Sequence, residues 1–293
     1  MKPQFFCGFN FEVSMKLCYI DITAETKELF KAFDNCLAKV KGNIYCEDFA
    51  KEKIRHSMQV VGAGNYIIKN EKIFQNRSSD YLKLAKLVNL FHDIGRFKEV
   101  ELLNENPTSK HDHSYYSYSI LKELGYSDFR LLLPIKQHGH LADALENDKE
   151  FNLINDEKLK KEIRELYGLV KDADKIANLY LLKYDLQVFK DLFFTSLSDE
   201  AKYAPVSKVV LETMQSQNLV KKNDCFSFAD RLVQILCFVF EIYYKPSFDF
   251  IKKNKLLDNL FVDLKEYCPD KDMVEYIRNF ILSSMDIRYK KLL

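Results

Sequence analysis

All six histidines of the chain lie between positions 56 and 140. They occur as His56, as His92 in "FHDIGRF", as His111 and His113 in "HDH", and as His138 and His140 in "HGH". Acids stand beside or after them: Asp93 next to His92, then Asp172 and Asp174 in "VKDADKIANL". Imidazole offers a neutral nitrogen ligand near neutral pH, and carboxylate offers the compensating charge, so the chemistry these types could do together is to hold a divalent cation. Each set falls in or at the end of a separate predicted helix. A helical bundle can aim side chains from several helices into one pocket.

His56 is followed one turn on by the apolar Val60 and Ala63, and His92 follows Val88 and Phe91. Both therefore point inward, as many ordinary core histidines also do. Asp93 is more informative. It closes an apolar run at a helix C-terminus, where the backbone already carries about half a unit of negative charge. An unpaired buried carboxylate there costs several kcal/mol, which a metal or Arg96 would relieve. Asp172 and Asp174 sit about 200° apart on a helix and cannot face one pocket. Periodicity leaves the choice open, because Asp172 shares its face with Leu169, Ile176 and Leu179, and Asp174 with Val170, Ala177 and Leu181. An ion-paired or exposed position is expected for Asp172. His111 and His140 are each two residues from a better candidate and belong to loop or surface positions. Arg96, with a planar fork, and Lys175, with a point charge, are the cationic candidates for a phosphate.

His56, then His92–Asp93, then Asp174 resembles the H…HD…D pattern of the HD-domain superfamily of metal-dependent phosphohydrolases, over roughly residues 45–185. "FHDIGRF" and "DADK" are close to that family's wording, and their order is the same. The resemblance implies an all-α fold in which His56, His92, Asp93 and Asp174 hold a divalent metal, with Asn178 orienting Asp174. It also implies that His113 and His138 complete a second metal site or meet the substrate phosphate. Asp93, His113 and His138 are then the catalytic residues.

A divalent ion so held (Mn, Fe, Mg, Co, Ni or Zn; one or two) lowers the pKa of bound water toward about 7 and polarises phosphoryl oxygens. The expected reaction is hydrolysis of a phosphomonoester or phosphoanhydride, above all of a nucleotide. The Gly-Tyr-Pro motif of the superfamily's cyclic-dinucleotide branch does not follow His113, which disfavours that substrate. The Glu-Asp pair of the alarmone-hydrolase branch is replaced by Gly95–Arg96, although "DKIANL" is similar to that branch's "DRLHNM". Two other readings stay open: a di-iron oxygenase on the same fold, and a non-catalytic nucleotide sensor.

The elements that must position these residues read at helical period. Leu29, Phe30, Phe33, Leu37 and Val40 mark one helix face. A second helix is expected from about 47 to 68, and a third from about 81 to 94 with Gly95 as its stop. A fourth runs from near Asp112 to before Gly125. Ser127 can cap the next, which Pro134 would kink or shorten. A long helix follows from about 156 to 182. Three or four more lie beyond, separated near Pro205, Asn223–Asp224, Pro246 and Pro269, and "KYAPVSKVV" could cover the pocket. "FFCGFNFEV" and "KLCYIDIT" can pair as a small N-terminal hairpin. The expected organisation is an N-terminal extension (1–24), an HD-type helical domain (25–195) and a C-terminal helical region packing on it (196–293). The fold class is all-α.

Bulk properties narrow the function. Lys plus Arg is 44 against 43 Asp plus Glu, so no nucleic-acid partner is indicated. The seven cysteines contain no C-x-x-C pair, as in reduced, cytoplasmic chains. The most apolar stretch, "LVQILCFVFEIYY", contains Glu241 and reads as a buried helix rather than a membrane span. The partner expected is a small phosphorylated molecule. The Phe- and Tyr-rich C-terminal stripes are core or a homo-oligomer face.

Overall fold

A computed structural model describes residues 23–108, 111–141, 143–184 and 197–292. Every regular element among them is helical. The hairpin read in the N-terminal segment falls outside the described residues, apart from Thr23. That residue caps helix α1 (Ala24–Val40), its hydroxyl accepting from Thr26 N at 3.2 Å. The face of α1 that turns inward carries Leu29, Phe33, Cys36 and Val40, with Phe30 and Leu37 on its flanks.

Helix α2 (Ile44–Asn70) opens on Asn43 and brings His56 into the core. Helix α3 (Ser79–Phe91) ends at the turn His92–Asp93–Ile94, and α4 (Gly95–Glu105) begins at once. Gly95 is therefore the first residue of a helix and not the last stop of one. Its N–H donates to Ser117 Oγ at 2.9 Å, and a Cβ there would lie 2.2 Å from His113 O and 2.4 Å from Ser117 N. Glycine serves close approach of two backbones here. Gly95→Ala must push α4 from its neighbour, and a loss of about 2 kcal/mol in unfolding free energy is expected by denaturant titration; unchanged stability would contradict the contact.

Helix α5 (His113–Glu123) is capped by Asp112, whose carboxylate accepts from Ser114 N and Tyr115 N, both at 3.1 Å. It ends before Gly125, which stands at φ +88°. Asp128, not Ser127, caps α6 (Phe129–Gln137), accepting from Arg130 N at 2.9 Å, and Pro134 stands inside this short helix. Helix α7 (Glu157–Tyr184) runs through the centre of the bundle and packs against α2, α3 and α6.

Beyond it lie α8 (Lys208–Gln215), α9 (Phe228–Leu236), α10 (Lys245–Lys253), α11 (Asp258–Tyr267) and α12 (Lys271–Lys291). Pro246 sits in the first turn of α10 rather than between helices. The apolar stretch 232–244 is not one helix. It finishes α9, passes through a 3-10 turn at Cys237–Glu241 and then extends, because the N–H groups of Tyr243 and Tyr244 bond the Asp172 carboxylate instead of continuing a helical ladder. One hydrophobic cluster extends from Leu29 to Met285, so the C-terminal helices share the main core. Among the described residues no helix is long and apolar enough to cross a membrane.

Candidate metal centre

The turn after α3, the start of α5, the end of α6 and the middles of α2 and α7 meet at one point. The Asp93 carboxylate, 3% exposed, stands at its centre. Its Oδ2 faces His56 Nε2 at 3.9 Å and His92 Nε2 at 3.7 Å. Its Oδ1 faces His138 Nε2 at 3.3 Å and His113 Nε2 at 3.4 Å. Each oxygen thus looks at its own pair of imidazoles. Within each set, His56–His92–Asp93 and Asp93–His113–His138, the ligand atoms lie within 4.8 Å of one another. Asp174 stands beside the first set, its Oδ1 being 2.8 Å from His56 Nε2.

Hydrogen bonding fixes which ring nitrogens carry lone pairs. A carbonyl only accepts, so His92 Nδ1 donates to Asn89 O at 2.9 Å and His138 Nδ1 to Ile135 O at 2.7 Å. A neutral ring held by such an Nδ1 bond turns a bare Nε2 lone pair inward, the usual orientation of a metal-binding histidine. His92 Nε2 is buried with no hydrogen-bond partner, and His138 Nε2 confronts a carboxylate oxygen. Such a donor set asks for a cation between them. The residues present fit a divalent metal.

The electrostatics agree. Burial pushes the Asp93 carboxyl up, but Arg96, His92, His113 and the His138 contact together hold it well below the usual carboxylate range. Asp174, whose side chain is 27% exposed, is likewise pushed up by its surroundings yet held low, chiefly by its bond to His56 and the neighbouring imidazoles. Burial pushes His92 down to about 4 against the pull of Asp93. Burial and the nearby Arg96 push His113 well below its ordinary value. Anionic Asp93 and Asp174 with neutral His92 and His113 at neutral pH are protonation states a metal requires.

Beside this centre opens a cavity of about 170 Å³, walled by His56, Asp93, His113, His138 and Asp174 together with Lys53, Arg96, Gly139 and Asn178. Asn178 Nδ2 donates to Asp174 Oδ1 at 2.9 Å. Arg96 Nη1 meets Glu99 at 2.7 Å and its Nε meets Asp93 Oδ1 at 3.5 Å. Lys53, one turn before His56 on α2, was not anticipated from the sequence. Its ammonium stacks over Phe49, 5.1 Å from the ring centroid, and burial and Arg96 lower its pKa. The signal was its three-residue spacing from His56, shared by many surface lysines.

Other candidates lie elsewhere. Lys175, expected to meet phosphate, is 7% exposed and paired with Glu241 Oε2 at 2.6 Å. One step round the helix from Asp174, it faces away from the cavity. Asp172 is neither exposed nor ion-paired: it is fully buried and accepts from Ser247 Oγ at 2.6 Å, Tyr243 N at 2.9 Å and Tyr244 N at 3.0 Å. Burial pushes its carboxyl up to about 7 despite those donors. His140 Nε2 is 3.3 Å from Asp112 Oδ2, and His111 Nδ1 is 3.2 Å from Tyr116 Oη; neither walls the cavity. The segment "KYAPVSKVV" is not among its walls either, since Val206 and Val210 are drawn into the core.

An all-helical domain that folds four imidazoles and one further acid around one buried carboxylate defines a metal-binding helical class. The family model described as HD domain matches residues 54–179. The match takes in every residue from Lys53's neighbour Ile54 to one turn beyond Asp174 and leaves the C-terminal helices outside. That match suggests metal-dependent hydrolase activity in general. No curated protein and no solved structure shows a significant match to the chain.

Proposed function

We propose that the protein is a metal-dependent phosphohydrolase cleaving a phosphomonoester or phosphoanhydride bond, above all of a nucleotide. The observation that carries this reading is the Asp93 carboxylate with one imidazole pair at each oxygen, beside a cavity that also holds Lys53 and Arg96. His56, His92, Asp93 and Asp174 would hold one ion, and Asp93, His113 and His138 a second. When bound, the metal supplies a water acidic enough to act as hydroxide at neutral pH and positive charge for the phosphoryl oxygens.

The chain's own residues do the rest. Asn89 O and Ile135 O hold the rings of His92 and His138 in the tautomer that leaves Nε2 bare. Asn178 fixes the Asp174 carboxylate, so that neither oxygen needs to reorient. Among the described residues Lys53 has no acidic partner within ion-pair distance, while Arg96 keeps Glu99 as its anchor. Together they form the cationic wall that takes the phosphoryl oxygens, Arg96 by its planar fork and Lys53 as a mobile charge. An anionic substrate suits such a wall better than a small neutral one, which favours phosphoryl chemistry over oxygenation.

The test pairs elemental analysis with phosphate release across nucleoside mono-, di- and triphosphates in several metals. Release is expected, and Lys53→Met should cut kcat/KM by about 10- to 100-fold while metal content stays unchanged. Oxygen uptake by the iron-loaded protein with no phosphate released would overturn the proposal. Tight nucleotide binding without release in every metal would do the same.

A further inference from the structure

Buried between α7 and the 3-10 turn Cys237–Glu241 is a charge cluster outside the cavity walls. Glu241, 5% exposed, offers Oε1 to Lys171 Nζ at 2.8 Å and Oε2 to Lys175 Nζ at 2.6 Å. The two lysines are one turn apart on α7 and flank Asp174. Two ammonium groups share one carboxylate, a costly arrangement to bury unless it does something further.

Lys171 is held by more than this ion pair. It also donates to Tyr167 Oη at 3.2 Å and to the carbonyl of His140. That carbonyl belongs to the turn that follows His138, closed by His140 N donating to Gln137 O at 3.1 Å. The turn is tight against the neighbouring imidazole: a Cβ on Gly139 would lie 2.5 Å from Ser114 Oγ and 3.1 Å from the His113 ring. Any shift of the 138–140 backbone therefore moves His138 and presses on His113 together.

We propose that Lys171, anchored by Glu241 from outside the HD domain, is a positioning residue that holds the 138–140 turn and thereby sets metal affinity on the His113–His138 side of Asp93. This rests on the reading of both imidazole pairs as metal sites. Among the described residues no hydrogen bond or ion pair joins His56, His92 or Asp174 to Lys171 or His140, so that side keeps its own affinity.

Lys171→Met is the informative variant, because it leaves Lys175 and Glu241 as a balanced one-to-one pair. Manganese binding is followed by calorimetry, and the exchange-coupled electron paramagnetic resonance signal of a manganese pair reports joint occupancy. Wild type is expected to bind two ions and show the coupled signal. The variant should keep Tm within a few degrees, bind one ion as before, lose affinity for the other by at least about 10-fold and lose the coupled signal. Two ions bound with unchanged affinities in the variant would overturn the proposal while leaving the metal reading intact. A wild type that binds no manganese would overturn both. Should Lys171→Met fail to fold, Lys171→Gln, too short to join Glu241 to the turn, is read by the same outcomes.

Discussion

Asp93→Ala is expected to leave the protein without divalent metal and to lower phosphate release by at least about 10³-fold, roughly 4 kcal/mol of transition-state stabilisation. The reason is geometric. Both imidazole pairs look at this one carboxylate, through different oxygens, and among the described residues no other acid faces both. Removing it takes a ligand from each set and the negative charge that a divalent ion needs in a buried place. The loss should not come from unfolding, since Arg96 retains Glu99 at 2.7 Å and is not stranded. Elemental analysis and phosphate release on the same folded sample decide the matter. Full metal content with full turnover would remove the basis of the functional reading.

The metal-free protein should lose stability as pH falls from about 6.5 to about 4, by roughly 3 kcal/mol from His92 alone. In the unfolded chain this imidazole takes up a proton near its ordinary pKa, whereas burial in the folded chain delays uptake to about 4. Between those values the unfolded state binds more protons, so acidification favours it. Above that window both states are neutral there and the contribution is flat. His113, depressed by burial and Arg96, acts with the same sign. Asp93 and Asp174 are depressed carboxylates, so their contribution is lost only at lower pH, below the usual carboxylate range. Protons also compete for the Nε2 lone pairs, so metal should leave over the same window and saturating metal should flatten the curve. A Tm that stays constant from pH 7 to about 4.5 without metal would show that the rings are not held neutral by burial.

The helical fold was legible because apolar periodicity and capping residues are local properties. The bounds of α2, α5 and α7 follow from them to within about three residues. What misled was chemistry that depends on a distant neighbour. Gly95 has the look of a helix stop, but α5 lies against it, and that contact decides its role. Lys175 stands next to Asp174 in sequence, yet one step of helix rotation turns it to Glu241. The angular argument that Asp172 and Asp174 cannot share a pocket needs only helix geometry. Knowing which acid turns to which neighbour needs the C-terminal helices, which have no motif. Lys53 escaped notice for the complementary reason: a lysine in a polar stretch is ordinary until the cavity beside it is seen.

The two aspartates of "DAD" give α7 opposite attachments. Asp174 meets His56 on one side, and Asp172 accepts the backbone N–H groups and hydroxyl at the entry to α10 on the other. A rod fastened on both flanks can neither slide by a turn nor roll about its axis without breaking one set of bonds. Any opening that admits reactant or discharges product must therefore be carried by the shorter elements around the mouth, with α7 as the stationary axle.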